Sequence, residues 1–427
     1  MTATQDLPAS DAAFRSVSAT YDAHGVDDPY PLYAKARREC PVMEGDILAQ
    51  YGIPSQADYA NRGRQVFSVF RHADVRAVLQ DDKTWSTDLL RDGLGAFLGE
   101  MFLTAKDGKP RRQLRGLLQT CFKPEAVRQM KTGLIEPMME REFSAPLRPR
   151  RQMELLADLA LPFPIRAIYT VLGFPDDPAA AARFADQALQ ILNGPQVDPE
   201  RAEEAMAQAF RAAGELDASV QEVVRSRRTN GADGEDMISR LVRGELDGES
   251  LTDEQIAGIV RMILPAAAET TTRTLANMFV LLLRHPDQLE RVRAERSLLP
   301  KAITETMRLE TVAGYLARQA TRDTELSGVA IPKGAAVSLV MGSANRDETV
   351  FDDPDRFDLD RPLKTTFGFG HGVHMCLGMP VAKIELETAA NFLLDLPNLR
   401  FDPAHLEPQL RGLQFRGPEA VHLVWDS

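Results

Sequence analysis

Residues Phe367 to Gly378 read FGFGHGVHMCLG, which puts four glycines, two histidines and one of the chain's three cysteines into twelve positions. A nucleotide loop is weakly supported, because Val373 takes the sixth position of the G-x-G-x-x-G that Gly368 begins. Zinc lacks a second nearby thiolate and finds only His371 and His374 as local ligands. Cys376 can still be a small buried hydrophobe, a Cys–His nucleophile or a thiolate ligand to heme iron. The heme reading also accounts for the glycines, since a flat porphyrin lying on backbone needs residues without a Cβ and a tight loop needs unusual φ/ψ. A helix begins after Cys376, and its free N–H groups would stabilise a negative sulfur.

Working outward, the 427 residues with 44% hydrophobic content are ample for a large buried core. A formal net charge of −12 opposes a nucleic-acid surface. The basic runs Lys106 to Arg115 and Arg148 to Arg151 read first as solvated faces. Cys40, Cys121 and Cys376 are too dispersed for a disulfide framework, which fits a reducing, cytoplasmic setting. No basic start or apolar run marks a signal peptide, and residues 1–20 read as a disordered lead into one domain spanning 21–427. The apolar run from Ile256 to Leu283 contains Arg261, Glu269 and Arg273, which makes membrane spanning costly.

Helical periodicity dominates from Pro31 to Pro300, and punctuation at Gly173 to Pro178 and at His285 to Gln288 marks helix ends. Thr252 and Gln255 have capping-box spacing at the head of a helix running to Arg284, roughly 48 Å long. Between Arg318 and Gly342 short β-type runs replace the helices. The last helix tolerates Pro380 in its first turn and buries Val381, Ile384, Leu386, Ala389, Phe392 and Leu393. The expected fold is therefore mainly α with a smaller β-rich region.

The loop resembles the heme-binding loop of the cytochrome P450 family of heme-thiolate monooxygenases, Phe-x-x-Gly-x-(Arg or His)-x-Cys-x-Gly, met by Phe369, Gly372, His374, Cys376 and Gly378. Glu305 and Arg308 are similar to the family's Glu-x-x-Arg, and Arg356 in DRFD is the expected third member of that structural network. The resemblance places Arg318 as a propionate-binding arginine and gives His374 the same reach. Lys106 to Arg115 is similar to the helix that usually reads Asp-x-x-x-His-x-x-x-Arg; Arg115 matches the arginine, while Arg111 stands in the histidine position. The similarity extends from Asp27 to the end, and it implies heme b held between a long central helix and the cysteine loop.

On that helix Ala266 to Thr270 matches the family's oxygen-activating site, with Glu269 as proton relay and Thr270 holding oxygen and water. Dioxygen needs two electrons and two protons before its O–O bond breaks, so an acid and a hydroxyl have a defined task. Ala267 replaces the usual glycine. Pro265 lacks an N–H and clashes with the carbonyl of Arg261, so a distorted helix is expected over Arg261 to Thr270. Peroxide-using members carry an arginine–proline pair instead of the acid–alcohol pair retained here, which favours O2 with an external reductant.

The motifs run to the end of the chain without a Rossmann fingerprint, so no bound flavin is expected and electrons come from a separate ferredoxin-type donor guided by Arg111 and Arg112. Monomer is the expected state. The substrate is expected to be a small hydrophobic molecule, hydroxylated or O-dealkylated. Its pocket is sought at Trp85 to Leu103, Ala188 to Pro195, Met262, Ala266, Ala313 to Tyr315 with Gly314, and Leu413 to Phe415 with Gln414. A heme-thiolate isomerase or dehydratase would need no acid–alcohol relay, and a heme-based sensor would need an output domain.

Overall fold

Thr252 and Gln255 cap each other. The Gln255 N–H donates to Thr252 Oγ1 at 3.2 Å, and the Thr252 N–H donates to Gln255 Oε1 at 2.9 Å. The helix they open runs from Asp253 to Arg284 and ends at His285, ahead of Pro286. It is buried around most of its circumference, which explains a run too apolar for a surface helix.

The computed structural model describes residues 9–21, 26–57, 63–196 and 199–427. In chain order the helices used below are α1 (Ala9–Tyr21), α2 (Tyr30–Glu39), α3 (Gly108–Gln119), α4 (Pro162–Leu172), α5 (Pro178–Leu192), α6 (Pro199–Asn230), α7 (Asp253–Arg284), α8 (Leu299–Leu309) and α9 (Met379–Asp395). Helices α4, α5, α6, α8 and α9 all pack on α7. Gly173 ends α4 in the left-handed region at φ 96°, and Asp177 caps α5 by accepting from the N–H groups of Ala179 and Ala180. Pro380 lies in the first turn of α9, where its missing N–H costs nothing.

The principal sheet has five strands, β1 (Val42–Glu44), β2 (Val66–Val69), β3 (Trp85–Ser86), β4 (Tyr315–Ala320) and β5 (Ala336–Val340), in the order β1-β2-β5-β4-β3. β5 runs parallel to β2, with Ala336 opposite Val66, and antiparallel to β4, with Val340 opposite Tyr315. β3 closes the edge with Ser86 opposite Gln319. Thr324–Leu326 and Val329–Ile331 form a separate hairpin. Three of the five strands fall inside the stretch from Pro31 to Pro300 that periodicity assigns to helix. They are two to four residues long, and so short a run has no detectable period.

Residues 9–21 are not a disordered lead. Phe14 and Val17 of α1 are buried in the main core, and Asn193 after α5 ties α1 down by donating to Ser16 Oγ and accepting from Thr20 Oγ1. Residues 1–8 lie outside the described residues. Nor does Pro265 interrupt α7, which stays α-helical through Arg261 to Thr270. Arg261 is held on both sides, pairing with Asp217 on α6 and donating to the Leu98 carbonyl. Among the described residues no helix is long and apolar enough to cross a membrane.

Glu305 and Arg308 form the expected pair at 2.8 Å, both buried. The third side chain is Arg361, whose Nε donates to Glu305 Oε1 at 2.9 Å. Arg356 contributes only its carbonyl, accepting from Arg308 Nη2 at 3.1 Å and Arg361 Nη2 at 2.8 Å. Arg308 also donates to the carbonyls of Asn345 and Pro354, so one guanidinium gathers the whole meander before the cysteine loop. Breaking a buried pair strands the remaining charge, and Glu305→Gln is expected to lose about 3–5 kcal/mol in chemical unfolding. A loss below about 1 kcal/mol would mean that the pair behaves as a surface salt bridge.

Candidate functional site

The cysteine loop is cross-braced by its own backbone. The Gly370 N–H donates to the Phe367 carbonyl at 2.8 Å, Met375 to Gly372 at 3.2 Å, and Cys376 to Phe369 at 2.8 Å. Gly372 is required twice over: its φ is 69°, and an added Cβ would lie 2.1 Å from the Leu79 carbonyl oxygen. At Gly368 a Cβ would lie 2.7 Å from Met307 Cβ. Protein packing and loop geometry thus account for two of the glycines that the sequence reading assigned to a porphyrin. Gly378 differs, because a Cβ there would meet nothing nearer than Cys376 Sγ at 4.0 Å. It keeps the sulfur's surroundings open.

Cys376 retains solvent-accessible surface but sits in a recess. Burial pushes its thiol up, while the N–H groups of Gly378 and Met379 and the nearby Arg115 favour the thiolate. Those two donors belong to the N-terminus of α9, where backbone dipoles add to the effect.

Three arginines surround the loop. Arg111, 7% exposed, donates from Nη1 to the Val373 carbonyl at 2.5 Å and leaves its buried Nε without a partner. Arg115 Nη2 donates to the Met375 carbonyl at 2.8 Å. Arg318 is 3% exposed and bonds to the carbonyl of Ala317. Burial lowers its guanidinium to about 10, with only Asp107 acting in the other direction. His374 Nε2 lies 3.1 Å from Asp107 Oδ1, so the side chain assigned to a propionate is engaged by a carboxylate of the protein. Burial pushes the Asp107 carboxyl up, but bonds from His374, Thr87 and Ser86 prevail and hold it at about 2.

On α7, Ala266 is exposed although it lies mid-helix in the interior, and Thr270 is half-buried one turn on, its Oγ1 donating to the Ala266 carbonyl at 2.9 Å. Glu269 is not free beside them. It is fully buried and paired with Arg273 at 2.5 Å. Burial raises its carboxyl, Arg273 lowers it, and Oε2 has no partner. Arg273 Nη2 donates to Ser18 Oγ of α1 at 2.6 Å, and its guanidinium lies 4.6 Å from the Phe14 ring centre. Sequence reasoning missed Arg273, although its i, i+4 spacing from Glu269 was a usable signal. Ser18 and Phe14 left none, because their contact spans some 255 positions.

A pocket draws together most of the segments named as pocket candidates, with Leu90, Phe102, Pro195, Tyr315, Gln414 and Phe415 among its walls. Gln414 Oε1 accepts from the Tyr315 N–H at 3.0 Å, and the Tyr315 hydroxyl bonds to Tyr33. Gly314 allows the close crossing, since a Cβ there would lie 2.2 Å from the Leu413 carbonyl oxygen. Met262 does not line this cavity; its sulfur accepts from the Leu103 N–H.

The family model for cytochrome P450 matches residues 183–411. The chain is 33% identical over 404 residues, 91% of its length and 90% of the relative's, to the cytochrome P450 monooxygenase PikC of Streptomyces venezuelae. The chain belongs to the cytochrome P450 family. It is also 34% identical to the cyclomarin C epoxidase CymV of Salinispora arenicola, over 78% of this chain and 83% of that one. Among solved structures, CYP109E1 from Bacillus megaterium in complex with testosterone superposes with a TM-score of 0.79 at 26% identity, covering 94% of this chain and all of that one. P450BioI in complex with an acyl carrier protein ligated to hexadec-9Z-enoic acid gives 0.80 at 26% identity, over 93% and 98%.

The residues of this P450 fit the heme the family implies. Cys376 offers a sulfur with preset donors, Ala266 and Gly378 leave close approach open, and Arg318 and Arg111 are buried cations with incomplete partners. The depressed Asp107 carboxyl makes a prediction of its own. Its stabilisation is complete above the unfolded value of 3.8 and is lost as pH falls toward 2. Asp107→Ala should therefore flatten the acid limb of the stability profile over that interval, and an unchanged limb would contradict the assignment.

Proposed function

We propose that this P450 inserts one atom of O2 into a C–H bond of a small hydrophobic molecule, by hydroxylation or O-dealkylation, with heme b as cofactor and no bound flavin. Electrons come from a separate ferredoxin served by its reductase, and the enzyme works as a cytoplasmic monomer of one domain. The observation that carries this reading is the Cys376 sulfur facing two N–H donors at the head of α9. Family membership supplies the monooxygenase class, and the named relatives supply the range of substrates: PikC is a monooxygenase, CymV a cyclomarin C epoxidase, and CYP109E1 takes testosterone in its crystal.

When bound, heme supplies the redox-active iron that activates dioxygen. The protein's part is to hold, orient and deliver. Arg318, Arg111 and Arg115 are the cations placed for the heme carboxylates. Thr270 holds its hydroxyl beside the exposed face of Ala266 and can pass a proton there once it turns from the Ala266 carbonyl. Glu269 lies one residue away with Oε2 unpartnered, and it enters the relay by loosening its bond to Arg273. The apolar cavity beside Tyr315 and Gln414 excludes water and receives the substrate, with the Gln414 amide to orient a polar end. Arg111, Arg112 and Arg115 line the recess next to Gly372 and Val373, and the exposed Arg112 at its rim gives a cationic landing for an acidic donor protein.

The reduced protein under carbon monoxide is expected to give the strongly red-shifted Soret band of a thiolate complex; a heme band without that shift would refute the Cys376 assignment. With ferredoxin, reductase and NADH, Thr270→Ala should keep consuming NADH while product formation falls about 10²-fold, the order of a lost proton-transfer group, and peroxide is released instead. Full product yield from that variant would favour an isomerase or dehydratase.

A further inference from the structure

The aspartate that opens α3 does not cap it. Asp107 occupies the N-cap, where a carboxylate normally accepts an N–H of the first turn for about 1 kcal/mol, yet it makes no such bond. Gly108 follows at φ 56°, a left-handed value that suits glycine, and the turn lets the carboxylate serve other segments. Oδ2 accepts from Ser86 Oγ at 2.8 Å and from the Thr87 N–H at 2.7 Å, and Oδ1 faces His374 Nε2 at 3.1 Å. One side chain pins the end of β3, the start of α3 and the cysteine loop together.

Those segments carry or flank the cations of the site. α3 bears Arg111 and Arg115, and Ser86 pairs in the sheet with Gln319, the neighbour of Arg318. We propose that Asp107 is a positioning residue for the heme carboxylates, fixing the spacing of Arg318, His374 and the α3 arginines and balancing their charge. The inference rests on heme being the group held here. Arg111, Arg115 and Arg318 bring three positive charges, and the two heme carboxylates with Asp107 bring three negative ones. Without Asp107 the set is left with an excess cation, and the buried members Arg111 and Arg318 bear most of the cost.

The contact also orients His374: an ionised carboxylate only accepts, so the ring nitrogen facing Asp107 carries the hydrogen.

The test compares holoprotein of the wild type, Asp107→Ala and Asp107→Asn by transfer of heme to excess apomyoglobin, alongside the carbon monoxide spectrum and thermal unfolding. Loss of a supporting shell typically weakens metal-site affinity by 10- to 100-fold, so Asp107→Ala should lose heme about 10-fold faster or more and give a mixed thiolate and non-thiolate spectrum. Asp107→Asn keeps the volume but not the charge; it should lie in between, and it carries the test if the alanine variant does not fold. Removing Asp107 from a His374→Ala background should add less than it does alone, because the two act through one contact. Heme loss within about twofold of wild type in both variants, with only a lower Tm, would overturn the inference and leave Asp107 a structural residue. Failure of the wild type to give the thiolate spectrum would instead remove the functional reading beneath it.

Discussion

A sulfur that is to carry negative charge inside a protein needs donors already aimed at it, and the N–H groups of Gly378 and Met379 are those donors. They are available because α9 begins there and its first turn has no carbonyls of its own to serve. Burial works against the thiolate and outweighs the donors, which offset part of its effect on Cys376. The rest of the loop holds that geometry. Backbone bonds brace it internally, and Gly372 lets it lie against the backbone of Leu79 at a distance no side chain permits.

From there the constraint passes outward through buried charges, each compensated differently. Arg308 and Arg361 share Glu305 and bind the carbonyls of the meander that leads to the loop, tying that meander to α8. Arg111 and Arg115 hold the loop's carbonyls from the side of α3. Arg318 has no carboxylate within hydrogen-bonding distance among the described residues, only the influence of Asp107.

Across the site α7 stays α-helical through Arg261 to Thr270 where a distorted helix was expected, and its acid is paired where a free relay was expected. Neighbouring elements supply partners that the helix alone lacks: Asp217 on α6 holds Arg261, and α1 covers Arg273 with Phe14 and Ser18. The carboxyl of Glu269 is held by Arg273 in a buried pair, and α1 touches both that pair and, through Tyr21, the pocket beside Tyr315.

The sequence by itself determined the cysteine loop, the capped helix from Asp253 to Arg284, the Glu305–Arg308 pair and the helix after the cysteine. Each is local: glycine conformations, a cap spaced by three residues, an i, i+3 pair and an apolar face repeat within a few turns of chain. Only the tertiary structure decided the rest. Arg361 replaced Arg356 in the network because the chain turns between them, and α1 proved ordered because its partners lie on α5 and α7. Asp107 turned from its own helix to His374, 267 positions away. Which side chain meets which carboxylate across such distances depends on how the layers pack, and no local pattern of residue types encodes it.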